Sequence, residues 1–124
     1  MKIDVHRSTE RGDVITLQED FPVTWRRKKF TIPFGFESDG FSTPECFWST
    51  ISPAVDPRTL RGAVGHDWVY RVQPPEWTRK EADEMLYDFI REDGLSWWRA
   101  QKVYWGLRWF GGAAWKDNAE VKAK

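Results

Sequence analysis

The sequence concentrates its chemistry in one short stretch, residues 63–71. This stretch holds His66, one of only two histidines, followed directly by the carboxylate of Asp67 and, four residues after His66, by the phenol of Tyr70. If the stretch is helical, His66 and Tyr70 share one face, and Asp67 reaches the Tyr70 side at a spacing of three. A base, a candidate cation ligand and a phenol would then lie within one helical turn.

Two helices are needed to give this histidine a partner. Asp56 followed by Pro57 is typical of a helix start, so a first helix is predicted at about 57–71. Thr78 and Glu81 have the spacing of a capping box, which predicts a second helix at about 79–93. Because the connection is short, the two helices are expected to form an antiparallel hairpin.

Helix offsets bring His66 and Asp83 to the same level of this hairpin. His66 lies five residues before Arg71, and Asp83 lies five residues after Thr78, so both are about 7.5 Å from the connection. Asp83 could then accept a hydrogen bond from one ring nitrogen of His66 and leave the other to take a proton from water. This spacing predicts a catalytic base with its orienting carboxylate.

A purely structural interpretation fits the same spacing. His66 and Asp83 could form a buried polar clasp without chemistry. Arg79 also stands four residues before Asp83, and an ordinary helix-surface ion pair of about 0.3–0.5 kcal/mol would divert the carboxylate from the histidine. Spacing alone leaves these interpretations open. His6 has only Asp4 nearby and is expected at the surface.

The segment 35–44 has the composition of a tight loop, with two glycines, a proline, Asp39 and Ser42. Its carbonyl groups, together with Asp67, could bind a hard cation such as Ca²⁺ or another divalent ion. Composition alone favours a simpler Asx-type turn, in which Asp39 and Ser42 bond their own backbone.

The other elements predict an α+β fold in a single domain of 124 residues. Residues 1–41 are β-rich and predict a small antiparallel meander built on three runs, 14–17, 21–25 and 29–33. The basic cluster Arg26 to Lys29 could be a phosphate patch, but its place between two strands favours a solvated hairpin turn. Ser96 is typical of a helix cap and predicts a third helix at about 97–110, followed by a frayed polar end.

The third helix carries three tryptophans, Trp98, Trp105 and Trp109, on one stripe at spacings of seven and four. This stripe could be buried or exposed. A second stripe suited to the core contains Trp97, Ala100, Tyr104 and Leu107. In one interpretation, favoured for a domain this aromatic, the β-rich half covers the tryptophan stripe. In the other, the indoles stay exposed for a partner, self-association or a membrane interface.

Composition narrows the class of partner. Lys+Arg and Asp+Glu both number 19, so no overall positive field favours nucleic acid. The single cysteine cannot form an internal disulfide, which favours a reducing compartment. No signal-type apolar run and no span long enough for a bilayer is visible, so neither export by a signal nor a transmembrane segment is expected.

Three motifs resemble a known family, the domain-of-unknown-function family 1353 of tailed bacteriophages and prophages. They are the segments 34–44, 66–71 and 78–83, within a resemblance that covers roughly residues 20–112. The resemblance implies a phage origin, a location in the cytoplasm of the infected bacterium or in the virion, and a phage or host protein as partner. It does not supply an activity.

A weaker likeness concerns mechanism. His66-Asp67-x-x-Tyr70, with Asp83 on the opposing helix, is similar to the pattern of the secreted phospholipases of the A-two type. The likeness implies His66 as base, Asp67 as calcium ligand, Tyr70 as a supporting hydrogen-bond donor and Asp83 as orienting carboxylate. Those enzymes are disulfide-dense, and the Gly-x-Gly spacing of their calcium loop is not reproduced by residues 35–44.

Two functions are therefore expected from the sequence. The first is a cation-assisted hydrolase that acts on an ester or similar bond through His66 and Asp83. The second is a non-enzymatic phage virion (tail) or host-interaction accessory protein, in which the motif residues form a structural polar core.

Overall fold

A computed structural model of the chain describes residues 2–8, 12–38 and 57–123. It confirms the α+β class, with a small antiparallel strand meander in the N-terminal half and three helices in the C-terminal half. The elements, in chain order, are β1 (Ile3–Ser8), β2 (Gly12–Leu17), β3 (Phe21–Trp25), β4 (Lys28–Ile32), β5 (Glu37–Ser38), α1 (Pro57–Val72), α2 (Arg79–Glu92) and α3 (Trp97–Ala123).

The strands form two small sheets, and β1 is a strand that the sequence runs did not include. In one sheet β2 lies between β1 and β5, with Ile15 opposite both Val5 and Ser38. In the other, β3 and β4 form a hairpin. The β3–β4 turn contains Arg26 at a φ of 53°, as expected for a tight connection between twisted strands.

Helices α1 and α2 form the predicted antiparallel hairpin. Both bonds of the predicted capping box at Thr78 are present. The helices approach each other closely at Gly62, where a Cβ atom would lie 2.6 Å from Leu86 Cδ1 and 3.3 Å from the Leu86 carbonyl oxygen. Arg61 pairs with Asp93 at the far end of the hairpin, 3.1 Å apart. Together these contacts hold the register of the two helices.

The third helix, α3, is longer than the sequence predicted. The prediction of 97–110 is wrong, because α3 runs on to Ala123 through the segment expected to fray. Tertiary contacts stabilise this extension: Gln73 Nε2 donates to the Trp115 carbonyl oxygen at 2.7 Å, and the Trp115 ring packs edge-on against Tyr70. None of the described helices is both long and apolar enough to cross a membrane.

The core has two parts that meet at the helix hairpin. One lies between the strands and the helices, where Trp25 and Trp77 stack with ring centroids 5.5 Å apart. The other lies between the helices and includes Leu86, Ala100 and Leu107. The placement of Trp97 in the core stripe is wrong, because its side chain is exposed. The residues of α3 that pack in the core between the helices are Ala100, Val103 and Leu107.

Candidate functional site

Asp83 is the centre of a buried polar cluster where the three helices meet. Its side chain has no exposed surface. The Oδ1 atom accepts hydrogen bonds from His66 Nε2 at 2.8 Å and from the Tyr70 hydroxyl at 2.7 Å. The Oδ2 atom accepts from Arg108 Nη1 at 2.9 Å and lies 3.6 Å from Arg79 Nη1. Oδ1 therefore accepts from two donors, whereas Oδ2 accepts from one donor and lies within ion-pair distance of a second guanidinium.

His66 and Asp83 meet because, as predicted, they lie at equal distances from the connection between the two helices. His66 and Tyr70 are four residues apart on α1, and their rings lie side by side with centroids 4.1 Å apart. Both therefore reach the same oxygen of Asp83 across the hairpin. Arg79 does not divert the carboxylate, because it approaches the other oxygen. The functional roles given to these four residues stay predictions.

Electrostatics fixes the proton positions in this cluster. Burial alone would raise the pKa of Asp83, but the hydrogen bond from His66 and its positive charge when protonated, followed by hydrogen bonds from Tyr70 and Arg108, bring that pKa below its ordinary value. Burial, and next the charge of Asp83, raise the pKa of Tyr70 far above its ordinary value, so the phenol keeps its proton and donates it. Asp83 is thus ionised and can only accept hydrogen bonds.

It follows that His66 Nε2 carries the hydrogen in its bond to Asp83. In a neutral imidazole the other nitrogen, Nδ1, is then without a proton and can act as a base. Within the ranges that the structure describes, Nδ1 makes no hydrogen bond, and the His66 side chain is 10% exposed. The cluster therefore presents one oriented imidazole nitrogen that is available for proton transfer.

Helix α3 completes the cluster, and this contribution of the third helix was not predicted from the sequence. Arg79 donates through Nη1 to the Leu107 carbonyl oxygen at 3.0 Å and through Nη2 to that of Arg108 at 3.2 Å. A Cβ atom at Gly111 would lie 2.7 Å from the Tyr70 hydroxyl oxygen, so glycine is needed for this approach. Arg108 was missed because it lies 25 residues after Asp83; the nearby Gly111-Gly112 pair was the available signal.

Asp67 lies on another side of α1. Its carboxylate is buried, and Oδ2 lies 3.2 Å from Arg71 Nη2, while Arg71 Nη1 donates to the Glu37 carbonyl oxygen. No group of three His, Cys, Asp or Glu residues that could hold a metal occurs within residues 2–8, 12–38 and 57–123. Asp39, Ser42 and most of the loop 35–44 lie outside the described residues, so the cation site formed by Asp67 and the carbonyl groups of that loop stays a prediction.

The tryptophan stripe of the third helix is exposed. Trp98, Trp105 and Trp109 all have accessible side chains on α3. Among the described residues, the β-rich half does not cover them, so the favoured interpretation of a buried stripe is not what the structure shows. Their role as an interface stays a prediction.

Comparisons with known proteins give a family match that covers most of the cluster. The profile of the family described as "Protein of unknown function (DUF1353)" matches residues 15–107, which include His66 and Asp83 and end one residue before Arg108. An uncharacterized protein, y4jT of Sinorhizobium fredii (strain NBRC 101917 / NGR234), is 30% identical over 83 residues, which are 67% of this chain. These residues span only 24% of that relative's length. No solved structure matches the chain.

Proposed function

The chain belongs to the family described as "Protein of unknown function (DUF1353)", and we propose, from the geometry of its buried cluster, that it is a hydrolase of an ester or similar bond with His66 as general base. The observation that carries this proposal is the 2.8 Å bond between His66 Nε2 and Asp83 Oδ1. It orients the ring and leaves Nδ1 to take a proton from water, whose oxygen attacks the substrate carbonyl carbon. The imidazolium then returns the proton to the leaving oxygen.

The surrounding residues act as positioning groups for this base. Asp83 stays ionised, so it stabilises the imidazolium that forms when Nδ1 takes the proton. Tyr70 holds the same carboxylate oxygen from the His66 helix, and Arg108 holds the other oxygen from α3. Three helices therefore restrict the rotation of Asp83, which in turn restricts the ring.

A divalent cation at Asp67 is a further part of this proposal, with Ca²⁺ as the first candidate. A buried carboxylate next to the base is a suitable hard ligand, and a cation there would stabilise charge on a substrate oxygen. The described residues alone do not make up such a site, since Asp67 is paired with Arg71. Calorimetric titration of Ca²⁺ into wild type and Asp67→Asn tests this part separately.

The test of the base is hydrolysis of a panel of nitrophenyl esters and phospholipids, with and without Ca²⁺. We expect His66→Ala to remain folded and to lose activity by about 10²-fold or more. His6→Ala is the matched control, because it removes the other histidine, and it should retain wild-type activity. Wild-type protein that is inert across the panel, with and without metals, would contradict the proposal.

A second candidate is a non-enzymatic phage virion (tail) or host-interaction accessory protein. The complete set of donors around the buried Asp83 favours it, because such a network also serves as a structural core. In this case His66→Gln should lower the free energy of unfolding by about 1–3 kcal/mol. A catalytic histidine could be replaced at a smaller cost. The position of the gene among tail, lysis or early genes tests the phage context, and with it the proposed location in the virion or the infected cell.

A further inference from the structure

We propose that the outward side of α3 docks on the surface of an anionic lipid bilayer. This proposal is independent of the hydrolase proposal. The docking surface, called here the tryptophan face, consists of Trp98, Trp105 and Trp109, whose exposed fractions are 72%, 49% and 73%. Phe110 beside it is also exposed.

The tryptophan face runs along one side of α3. Its first and last indoles are eleven residues apart, or about 16 Å along the helix axis. A soluble domain rarely exposes this much contiguous aromatic surface without a use. Indole rings favour the boundary between acyl chains and headgroups, where an apolar body and an N–H group are both satisfied.

The basic side chains of α3 indicate that the tryptophan face would bind a negatively charged surface. Helix α3 contains five basic and two acidic residues, in a chain whose net charge is zero, and both acidic residues, Asp117 and Glu120, come after the tryptophan face, so that residues 97–116 contain none. Arg108 points inward to Asp83, but Arg99, Lys102 and Lys116 are exposed. None of these three forms an ion pair with another described residue. Lys102 lies four residues after Trp98, and Lys116 lies seven residues after Trp109, so both lysines are on the same side of the helix as the indoles.

A second group of positive charges borders the tryptophan face. A groove lined by Trp105, Tyr104 and Arg26 connects α3 to the turn of the β3–β4 hairpin. Beyond Arg26, Arg27 in the turn and Lys29 on β4 are exposed, and neither forms an ion pair with the described residues.

The groove also contains two acidic residues. Glu84 pairs with Arg26 at 3.1 Å, and Asp88 lies 4.0 Å from the same guanidinium and accepts a hydrogen bond from the Trp25 indole at 2.8 Å. The positive charge on the hairpin therefore comes from Arg27 and Lys29, and on α3 it comes from Arg99, Lys102 and Lys116. Exposed indoles bordered by basic side chains are the combination that binds interfacial helices to anionic lipids.

Other partners fit these observations less well. A second copy of the chain would bring the same basic side against itself, which places like charges together. Single-stranded nucleic acid binds in a positive groove along which its backbone runs, whereas the groove beside Trp105 is lined by Glu84 and Asp88 as well as by Arg26. No described helix can span a bilayer, so α3 would lie in the plane of the membrane surface.

Vesicle sedimentation tests the proposal with the full chain. We expect binding to vesicles of equal parts phosphatidylglycerol and phosphatidylcholine, and binding about tenfold weaker to pure phosphatidylcholine or at high salt. The double variant Trp98→Ala/Trp109→Ala should bind about tenfold more weakly while its unfolding temperature stays unchanged, since both side chains are exposed. Phe34→Ala is the matched control, because Phe34 is an equally exposed aromatic on the turn after β4.

Several results would overturn the proposal. They are failure of the wild type to bind anionic vesicles, equal binding to uncharged vesicles, and an effect of Phe34→Ala as large as that of the double variant. Binding of an oligothymidylate in place of vesicles would assign the face to nucleic acid. A dimer in sedimentation that the double variant abolishes, with no vesicle binding, would assign it to a second copy.

Discussion

Replacing Gly111 by alanine tests how closely α3 packs on the Asp83 cluster. The new Cβ atom would lie 2.7 Å from the Tyr70 hydroxyl oxygen and 3.2 Å from Arg79 Nη1, both closer than ordinary contact. Tyr70 has little freedom to withdraw, since its hydroxyl bonds to Asp83 and its ring packs on Trp115. Either α3 moves outward or the Tyr70 bond to Asp83 is lost.

The neighbouring Gly112 provides a matched control for the size of this effect. At that position a Cβ atom would be 4.0 Å from Arg79 Cζ, which is ordinary contact, and the residue is exposed. Both substitutions gain about 0.5–1 kcal/mol because alanine is the better helix former. Gly111→Ala also suffers about 1–3 kcal/mol of overpacking and about 1 kcal/mol from a weakened hydrogen bond. We therefore expect Gly111→Ala to be about 2–4 kcal/mol less stable than Gly112→Ala.

Urea unfolding followed by far-ultraviolet circular dichroism measures this difference. Gly112→Ala should have an unfolding midpoint at or above that of wild type, and Gly111→Ala a clearly lower one, with similar m-values for all three proteins. If both variants stabilise the protein alike, α3 does not pack on Tyr70 and Arg79 as described, and the reasoning is refuted.

Two further predictions concern Asp83 and its donors. Asp83→Asn should lower the free energy of unfolding by about 3 kcal/mol, because the guanidinium groups of Arg79 and Arg108 lose their buried counter-charge. This is the lower end of the range for breaking a buried ion pair, and it is expected because both guanidinium groups are partly exposed. The pKa of Asp83 is lower in the folded than in the unfolded protein, so this carboxylate stabilises the fold above its unfolded pKa of about 3.9 and stops doing so as the pH falls through the lower folded pKa. Thermal unfolding from pH 7 to 2 should show this acid loss in wild type and a smaller one in Asp83→Asn; equal pH profiles would be inconsistent with an ionised Asp83. Tyr70→Phe should cost about 1 kcal/mol in chemical unfolding, because one of the two donors on Oδ1 is removed, and an unchanged midpoint would show that this bond does not contribute.

The helix hairpin was predictable because its signals are local. A proline at the first helical position and the Thr78–Glu81 capping box mark where the helices start, and a fixed rise per residue then places His66 level with Asp83. Neither step needs knowledge of the rest of the fold. The capping box and the bond between His66 and Asp83 were accordingly both found.

The contribution of α3 was not predictable in the same way. Its position depends on packing between residues far apart in the sequence, so the pairing of Arg108 with Asp83 has no local signal. Its extension to Ala123 depends on contacts of Trp115 with Tyr70 and Gln73. Two apolar stripes also left open which one faces the core, and the hydrophobic period alone could not decide it.

The most direct test of the central claim is the protonation of the His66 ring. Long-range ¹⁵N–¹H spectra of the labelled protein, assigned with His66→Gln, distinguish the two neutral tautomers at a pH where the ring is uncharged. The account predicts that Nε2 carries the proton toward Asp83 and that Nδ1 is unprotonated, as a general base requires. A neutral ring with its proton on Nδ1 would contradict the account, because His66 would then have no basic nitrogen outside its contact with Asp83.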